Sequence, residues 1–293
     1  MGQTPSQMVK SSLVNRHDDR IQSLMQSGKR HRQNKDYEQA RKQYAKALDN
    51  IIKKKHSPSD YYDELLFQIY LDISRCHRKL LQVDEANYYC RLAENISKQM
   101  RNKLSYDDSL NSISDFHLQR KSDSSEFDAD AINQIRVVEL RNYELAIGTL
   151  YGKIGKMYFS QCKYHEALHT CKTAIKIQAK LGCQNKVDIA TLHDIIGHIY
   201  KMKSMYNDAL SHYQLSLHIR REIKETSKLD MANCYENIAE IYSRQRKLKE
   251  ALLLYETSRT LRQQILGDDA IEIKHSNGRI SKVLYLQDKY TQS

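Results

Sequence analysis

Residues 193–213 read HDIIGHIYKMKSMYNDALSHY, and the order of large and small residues in this stretch decides the fold. His193, Ile196, Gly197 and Tyr200 are spaced as one face of a helix, and Ala209 and Tyr213 follow on a second helical stretch. The same order stands upstream as Tyr151, Ile154, Gly155 and Tyr158, then Ala167, Cys171 and Ala174. It stands downstream as Tyr235, Ile238, Ala239 and Tyr242, then Ala251 and Tyr255. The anchoring alanines at 167, 209 and 251 are 42 residues apart. Two earlier copies share the pattern. One is Leu24, Gly28, His31, Ala40, Tyr44 and Ala47; the other is Tyr70, Ile73, Ser74, His77, Ala86, Cys90 and Ala93, with alanines 46 apart. A chance amphipathic helix does not repeat a small–large order at fixed distance five times.

Packing physics explains the order. Each unit is two antiparallel helices. Gly28, Gly155, Gly197 and Ala239 are expected where the two helices cross most closely, with Ala40, Ala86, Ala167, Ala209 and Ala251 on the facing helix. Large residues three or four places away fill the remaining gap. A single helix pair cannot bury its apolar face, so units stack into a solenoid.

Composition agrees. Nine Gly and two Pro in 293 residues are too few for a strand-rich fold. Twenty Tyr, four Phe and no Trp put much of the apolar bulk on rings that keep a wet hydroxyl. The net charge of +11 points either to a plain solvated surface or to acidic partners. Cys76, Cys90, Cys162, Cys171, Cys183 and Cys234 form no C-x-x-C pair, which fits reduced, mostly buried thiols in a cytoplasmic protein. No secretory leader opens the chain, and no apolar run approaches the ~18 residues of a membrane span.

The repeat resembles the tetratricopeptide repeat, and its 42-residue period is similar to the long variant of kinesin light chains. Residues 206–222 (YNDALSHYQLSLHIRRE) and 266–269 (LGDD) look like that subfamily's helix B and inter-repeat loop. The heptads through which kinesin light chains bind their heavy chain are absent. The resemblance covers residues 21–293 except one stretch. It implies an all-α, right-handed solenoid of antiparallel helix pairs, acting as a non-catalytic scaffold or adaptor. The expected organisation is an N-terminal leader over 1–20, two copies over 21–100, a degenerate repeat with a Ser/Asp-rich loop over 101–147, three copies over 148–265, and a capping helix over 266–293. Residues 105–134 lack the motif; Ala131, Ile135 and Val138 fit helix B of a degenerate copy, and a flexible insertion is the rival.

No string supports catalysis, a cofactor or a metal. His165-Glu166-Ala167-Leu168-His169 matches H-E-x-x-H, but Ala167 is the repeat's own anchor, and its preceding acid recurs as Asp208 and Glu250. No third ligand follows. Nucleotide-binding and nucleophile-elbow motifs are absent. His31 and His77 take the usual Tyr place and are expected in the core.

Function is therefore sought on the concave face, lined by the first helix of each unit. The places three before, one after and four after the small residue are expected to face it. These are Met25, Lys29 and Arg32; Leu71, Arg75 and Arg78, with Lys79 adjacent; Gly152, Lys156 and Phe159; Asp194, His198 and Lys201; and Glu236, Glu240 and Ser243, with Asn237 and Arg244 beside them. The row runs from basic to mixed or acidic. It suits an extended peptide of a partner protein that carries an acidic segment. Met25 and Lys29 stand where chaperone-binding relatives have the Lys and Asn of a carboxylate clamp, so that clamp is not met. Of the Asn pair of kinesin light chains only Asn237 is matched.

Met1 to Ser6 fits the myristoylation pattern at Gly2, and the basic residues that follow could supply a second membrane signal. A peripheral adaptor on an anionic membrane is thus one alternative. RNA binding by helical repeats is another, disfavoured by the shortage of stacking aromatics. Residues 121–128 (KSDSSEFD) read as a solvated linker or a phosphorylatable loop.

Overall fold

The computed structural model describes the backbone of residues 5–53, 60–115, 125–182, 186–223, 228–268 and 270–291. Among the described residues there are eleven helices and no strand. They are α1 (Pro5–Gln33), α2 (Tyr37–Lys53), α3 (Asp60–Lys79), α4 (Val83–Asp115), α5 (Ser125–Ser160), α6 (Tyr164–Lys180), α7 (Lys186–Met202), α8 (Tyr206–Arg221), α9 (Lys228–Arg244), α10 (Leu248–Leu266) and α11 (Ile271–Thr291). The chain divides into two compact units, Met1–Met157 and Tyr158–Ser293, with the boundary inside α5. In the first unit α1 packs on α2, α2 on α3 and α3 on α4. In the second, each helix from α6 to α11 packs on the next. Contact between chain neighbours is the packing rule of an α-solenoid.

The small residues sit where the repeat physics puts them. Ala40, Ala86, Ala167, Ala209 and Ala251 are fully buried. In the first copy a Cβ added at Gly28 would lie 2.7 Å from the Tyr44 ring; at Gly197 it would lie 3.0 Å from the Tyr213 ring. Each glycine thus lets a tyrosine lie flat across the crossing. In the second copy Ser74 donates its hydroxyl hydrogen to the carbonyl of Ala86 at 2.5 Å, tying α3 to α4. His77 is buried as expected; His31 is only half-buried.

The turns between the two helices of each copy repeat atom for atom. The amides of Asp36, Gln82, Lys163, Met205 and Lys247 donate to the carbonyls of His31, His77, Tyr158, Tyr200 and Tyr242. Those of the preceding residues, Lys35, Leu81, Cys162, Ser204 and Arg246, donate to carbonyls three places back. This is the Schellman arrangement, and it puts those five residues at φ between 58° and 63°. None is glycine. In the first turn Asp36 also caps α2, accepting from the Gln39 amide at 3.1 Å.

Three expectations change. Helix α1 runs back to Pro5, through most of the stretch expected as a leader. Ala131, Ile135 and Val138 belong to α5, a single helix of 36 residues, and not to a separate helix B. No proline or turn cluster interrupts residues 131–158, so nothing in the backbone forces a break there. Met25 and Leu71 are buried at 5% and 2% exposure, and Gly152 is also buried, so these three places serve the core and not the concave face. At the far end, α11 lays Ile280 and Val283 against Leu248, Ala251 and Tyr255.

Gly28→Val drives a branched side chain into the Tyr44 ring and is expected to cost about 2 kcal/mol. That lowers the unfolding midpoint by roughly 4–8 °C. Gly278→Ala in α11, where an added Cβ meets nothing within 4 Å, should instead raise it. Equal effects of the two, read by thermal circular dichroism, would remove the close crossing from the account. Leu81, 72% exposed at positive φ, gives a second test. Relief of left-handed strain outweighs the added freedom of the unfolded chain, so Leu81→Gly gains about 0.5–1 kcal/mol in urea unfolding.

Candidate protein-interaction surface

The C-terminal turns of α1 and α3 place four of the expected groove residues together. Spacings of three and four residues put Arg75, Arg78 and Lys79 toward the side where Arg32 ends α1. Asp72, with 3% of its side chain exposed, lies beneath them. It accepts from Arg32 and, at 2.9 Å, from Arg75 Nη1. Arg78 has no such carboxylate: its Nε is buried and makes no hydrogen bond. Burial, with the like charge of Arg75 adding to it, pulls the Arg78 guanidinium below its ordinary pKa. Lys79 holds its Nζ 6.0 Å above the Tyr37 ring.

Helix α5 forms the other wall. Phe67 of α3 meets the Tyr143 ring at 4.4 Å, and the Tyr143 hydroxyl donates to Glu64 at 2.7 Å. The Tyr151 hydroxyl donates to Glu94 of α4 at 2.6 Å, and Arg101 pairs with Glu144 at 2.7 Å. These contacts hold Asn142, Leu145, Thr149 and Lys153 across from the arginines, and the cleft between has a volume of about 560 Å³. Among its described lining residues none is a carboxylate. Lys29 is exposed on α1 and Lys156 half-buried on α5, both outside this lining.

The second unit treats its charges differently. Lys201, 9% exposed, donates to Glu240 at 2.7 Å and to Asn237 Oδ1 at 2.9 Å. Arg244 pairs with the same Glu240 at 2.8 Å. Asp194 is held by Arg220 at 2.6 Å; Glu236 by Arg262 and Arg279. Phe159 meets His198 edge-on at 5.3 Å. The acids expected in this part of the groove therefore spend much of their charge inside the unit.

Two buried arginines, 42 residues apart, organise this pairing. Arg220 contacts Ser216, Cys234 and Asp194; Arg262 contacts Ser258, Ser276 and Glu236, each one period further along. One period back stand Gln178 and Gly152, and Gln178 is buried with its Oε1 unpartnered. Sequence reasoning assigned the acids to the groove and missed their arginines. The recurrence of Arg at 220 and 262 beside acids at 194 and 236 was the available signal.

His193 and His212 form a further buried pair, with their Nδ1 atoms 2.9 Å apart. The ring of His212 stacks on Tyr200, over which Lys172 sits. Burial, then the neighbouring His212, pushes His193 down to about 4 from an ordinary 6.5. Burial and Lys172 lower His212 as well. Asp194 and Asp208 oppose these shifts without reversing them. The unfolded chain therefore binds protons that the folded chain refuses as pH falls from 6.5 toward 4. Stability is expected to be flat above that window and to fall through it. His193→Tyr, the residue found at this place in the second, third and fifth copies, should flatten the slope in urea titrations at several pH values. An unchanged slope would assign the pH dependence elsewhere.

His165 and His169 are exposed on α6, on the side away from the buried Ala167. Among the described residues, no group of three His, Cys, Asp or Glu gathers as metal ligands would. Cys76, Cys90, Cys171 and Cys234 are buried and Cys162 is exposed, all as free thiols. No helix of the described residues is long and apolar enough to cross a membrane. Gly2, Cys183 and residues 121–128 lie outside the residues whose side chains are described.

Residues 187–264, covering α7 to most of α10, match the family model for the tetratricopeptide repeat. The chain carries tetratricopeptide repeats, a repeat fold that generally serves as a non-catalytic protein-interaction scaffold. No protein of curated function matches it by sequence. Among solved structures it is similar to BtubC (BKLC) from P. vanneervenii, at TM-score 0.52 and 14% identity over 86% of this chain and 92% of that one. It is also similar to the apo form of RapI, at TM-score 0.51 and 13% identity over 93% and 85% of the two chains. At such identities the likeness concerns the fold alone.

Proposed function

We propose that this protein is an adaptor that holds an extended, partly acidic peptide segment of a partner protein against the basic face of its first unit. The observation that carries this reading is the convergence of Arg32, Arg75, Arg78 and Lys79 on a cleft with no carboxylate among its described lining residues. Solvated surface charge is normally interspersed in sign. Here the cations are gathered, and one of them buries an unpaired donor. Apolar Leu145, exposed on the facing wall, offers packing for the peptide's aliphatic groups. The second unit, whose acids are held by its own arginines and lysines, supplies a weaker electrostatic case. The groove reading for Asp194, His198, Lys201, Glu236, Asn237, Glu240 and Arg244 is accordingly secondary.

The test is fluorescence anisotropy with a degenerate acidic peptide pool and a pool in which Asp and Glu are replaced by Asn and Gln. The acidic pool should bind more tightly, and more weakly as salt is raised. Arg75→Ala with Arg78→Ala is expected to weaken it at least tenfold while leaving the neutral pool nearly unchanged. Arg244→Ala in the second unit should have little effect. If the two pools bind alike, the assignment of function to the basic cleft is wrong.

A further inference from the structure

We infer that the cleft of the first unit is a receptor for a phosphate monoester, the phosphorylated serine or threonine side chain of a bound peptide. This rests on the peptide-adaptor reading and names the group its cleft selects.

Charge comes first. Arg32, Arg75, Arg78 and Lys79 gather on the cleft, and the buried Asp72 pairs with Arg32 and Arg75. A peptide carboxylate brings one negative charge to this surplus, whereas a phosphate monoester brings about 1.5 to 2. Geometry is the second argument. Three of these four cations are arginines, arriving from two helices, and guanidinium forks match phosphate oxygens two at a time. Asp72 fixes two of those forks from below, so their orientation is set before any ligand arrives.

The third argument is the orphan donor. Arg78 Nε is buried without an acceptor, an arrangement that costs stability in the free protein. Packing that holds Nε in place also holds the guanidinium plane, and phosphate offers three acceptor oxygens, enough for the outer nitrogens of Arg78 and of a second arginine together. Thr149 on the opposite wall adds a hydroxyl that can donate to the same group. A membrane headgroup fits less well, because the cations line a recess between α1, α3 and α5, while a bilayer engages cations that protrude.

An array of 11-residue peptides, degenerate at every position but the central one, tests this. The centre is Ser, Glu or phosphoserine. The phosphoserine pool should bind at least tenfold more tightly than the Glu pool. Arg78→Lys keeps the charge and loses the fork, so the phosphoserine advantage should shrink to threefold or less. Lys29→Ala, outside the lining, should leave it intact. Matched circular dichroism and melting curves establish that each variant is folded; if Arg78→Lys fails this check, Arg75→Lys carries the same comparison. Equal binding of the Glu and phosphoserine pools overturns the phosphate assignment and leaves the acidic-peptide reading standing. Binding by neither pool overturns both. Sedimentation with phosphatidylserine vesicles, without preference among the peptides, overturns the peptide site in favour of a lipid surface.

Discussion

The structure depends on a close approach between two helices. At Gly28 and Gly197 the absence of a Cβ lets a tyrosine ring lie across the facing helix, filling space that a side chain on the first helix would occupy. The alanines of the partner helix are fully buried at the same level. Because the crossing is so tight, the remaining places on each helix can change only where they point away from it. Ser74 and Ala239 hold the same place in other copies, facing Cys90 and Tyr255 sixteen residues on. The small partner varies, while its distance along the chain does not.

A fixed crossing also fixes the turn. The carbonyl of the His or Tyr three places after the small residue accepts the amide that closes the Schellman motif. That hydrogen bond imposes positive φ on Lys35, Leu81, Cys162, Ser204 and Arg246, residues with no conformational preference for it. Strain of this kind persists where surrounding packing over-determines the backbone. The two buried helix faces supply that packing, and so a chain with nine glycines still makes five tight turns of one geometry.

The same framework sorts the charges. In the second unit the period places an arginine of one helix beside an acid of another, at Arg220 with Asp194 and at Arg262 with Glu236, and burial makes these pairs costly to separate. The first unit lacks that device. Asp72 anchors two arginines, and Arg78 is left with a buried, unsatisfied nitrogen beside a cleft. Difference in chemistry between the units thus follows from which copies carry the buried arginine and which do not.

The sequence alone determined the helical repeat, its period and the residues of the helix crossings, because small–large order at fixed spacing is a local signal of packing. It also put Arg32, Arg75, Arg78 and Lys79 in the basic half of a longer candidate row, together with Lys29 and Lys156, since helix periodicity places them on one side of their helices. Only the tertiary structure decided which charges are available. The expectation that Asp194 and Glu236 face a partner came from helix phase, and phase does not reveal a buried arginine reaching from another helix. Likewise Asn142, Thr149 and Lys153 lie far along the chain from Arg32, Arg75 and Arg78, which they face, on a helix whose continuity through residues 131–158 no repeat signal disclosed. A cleft is made by elements distant in sequence, and its charge is the sum of contacts that only folding brings together.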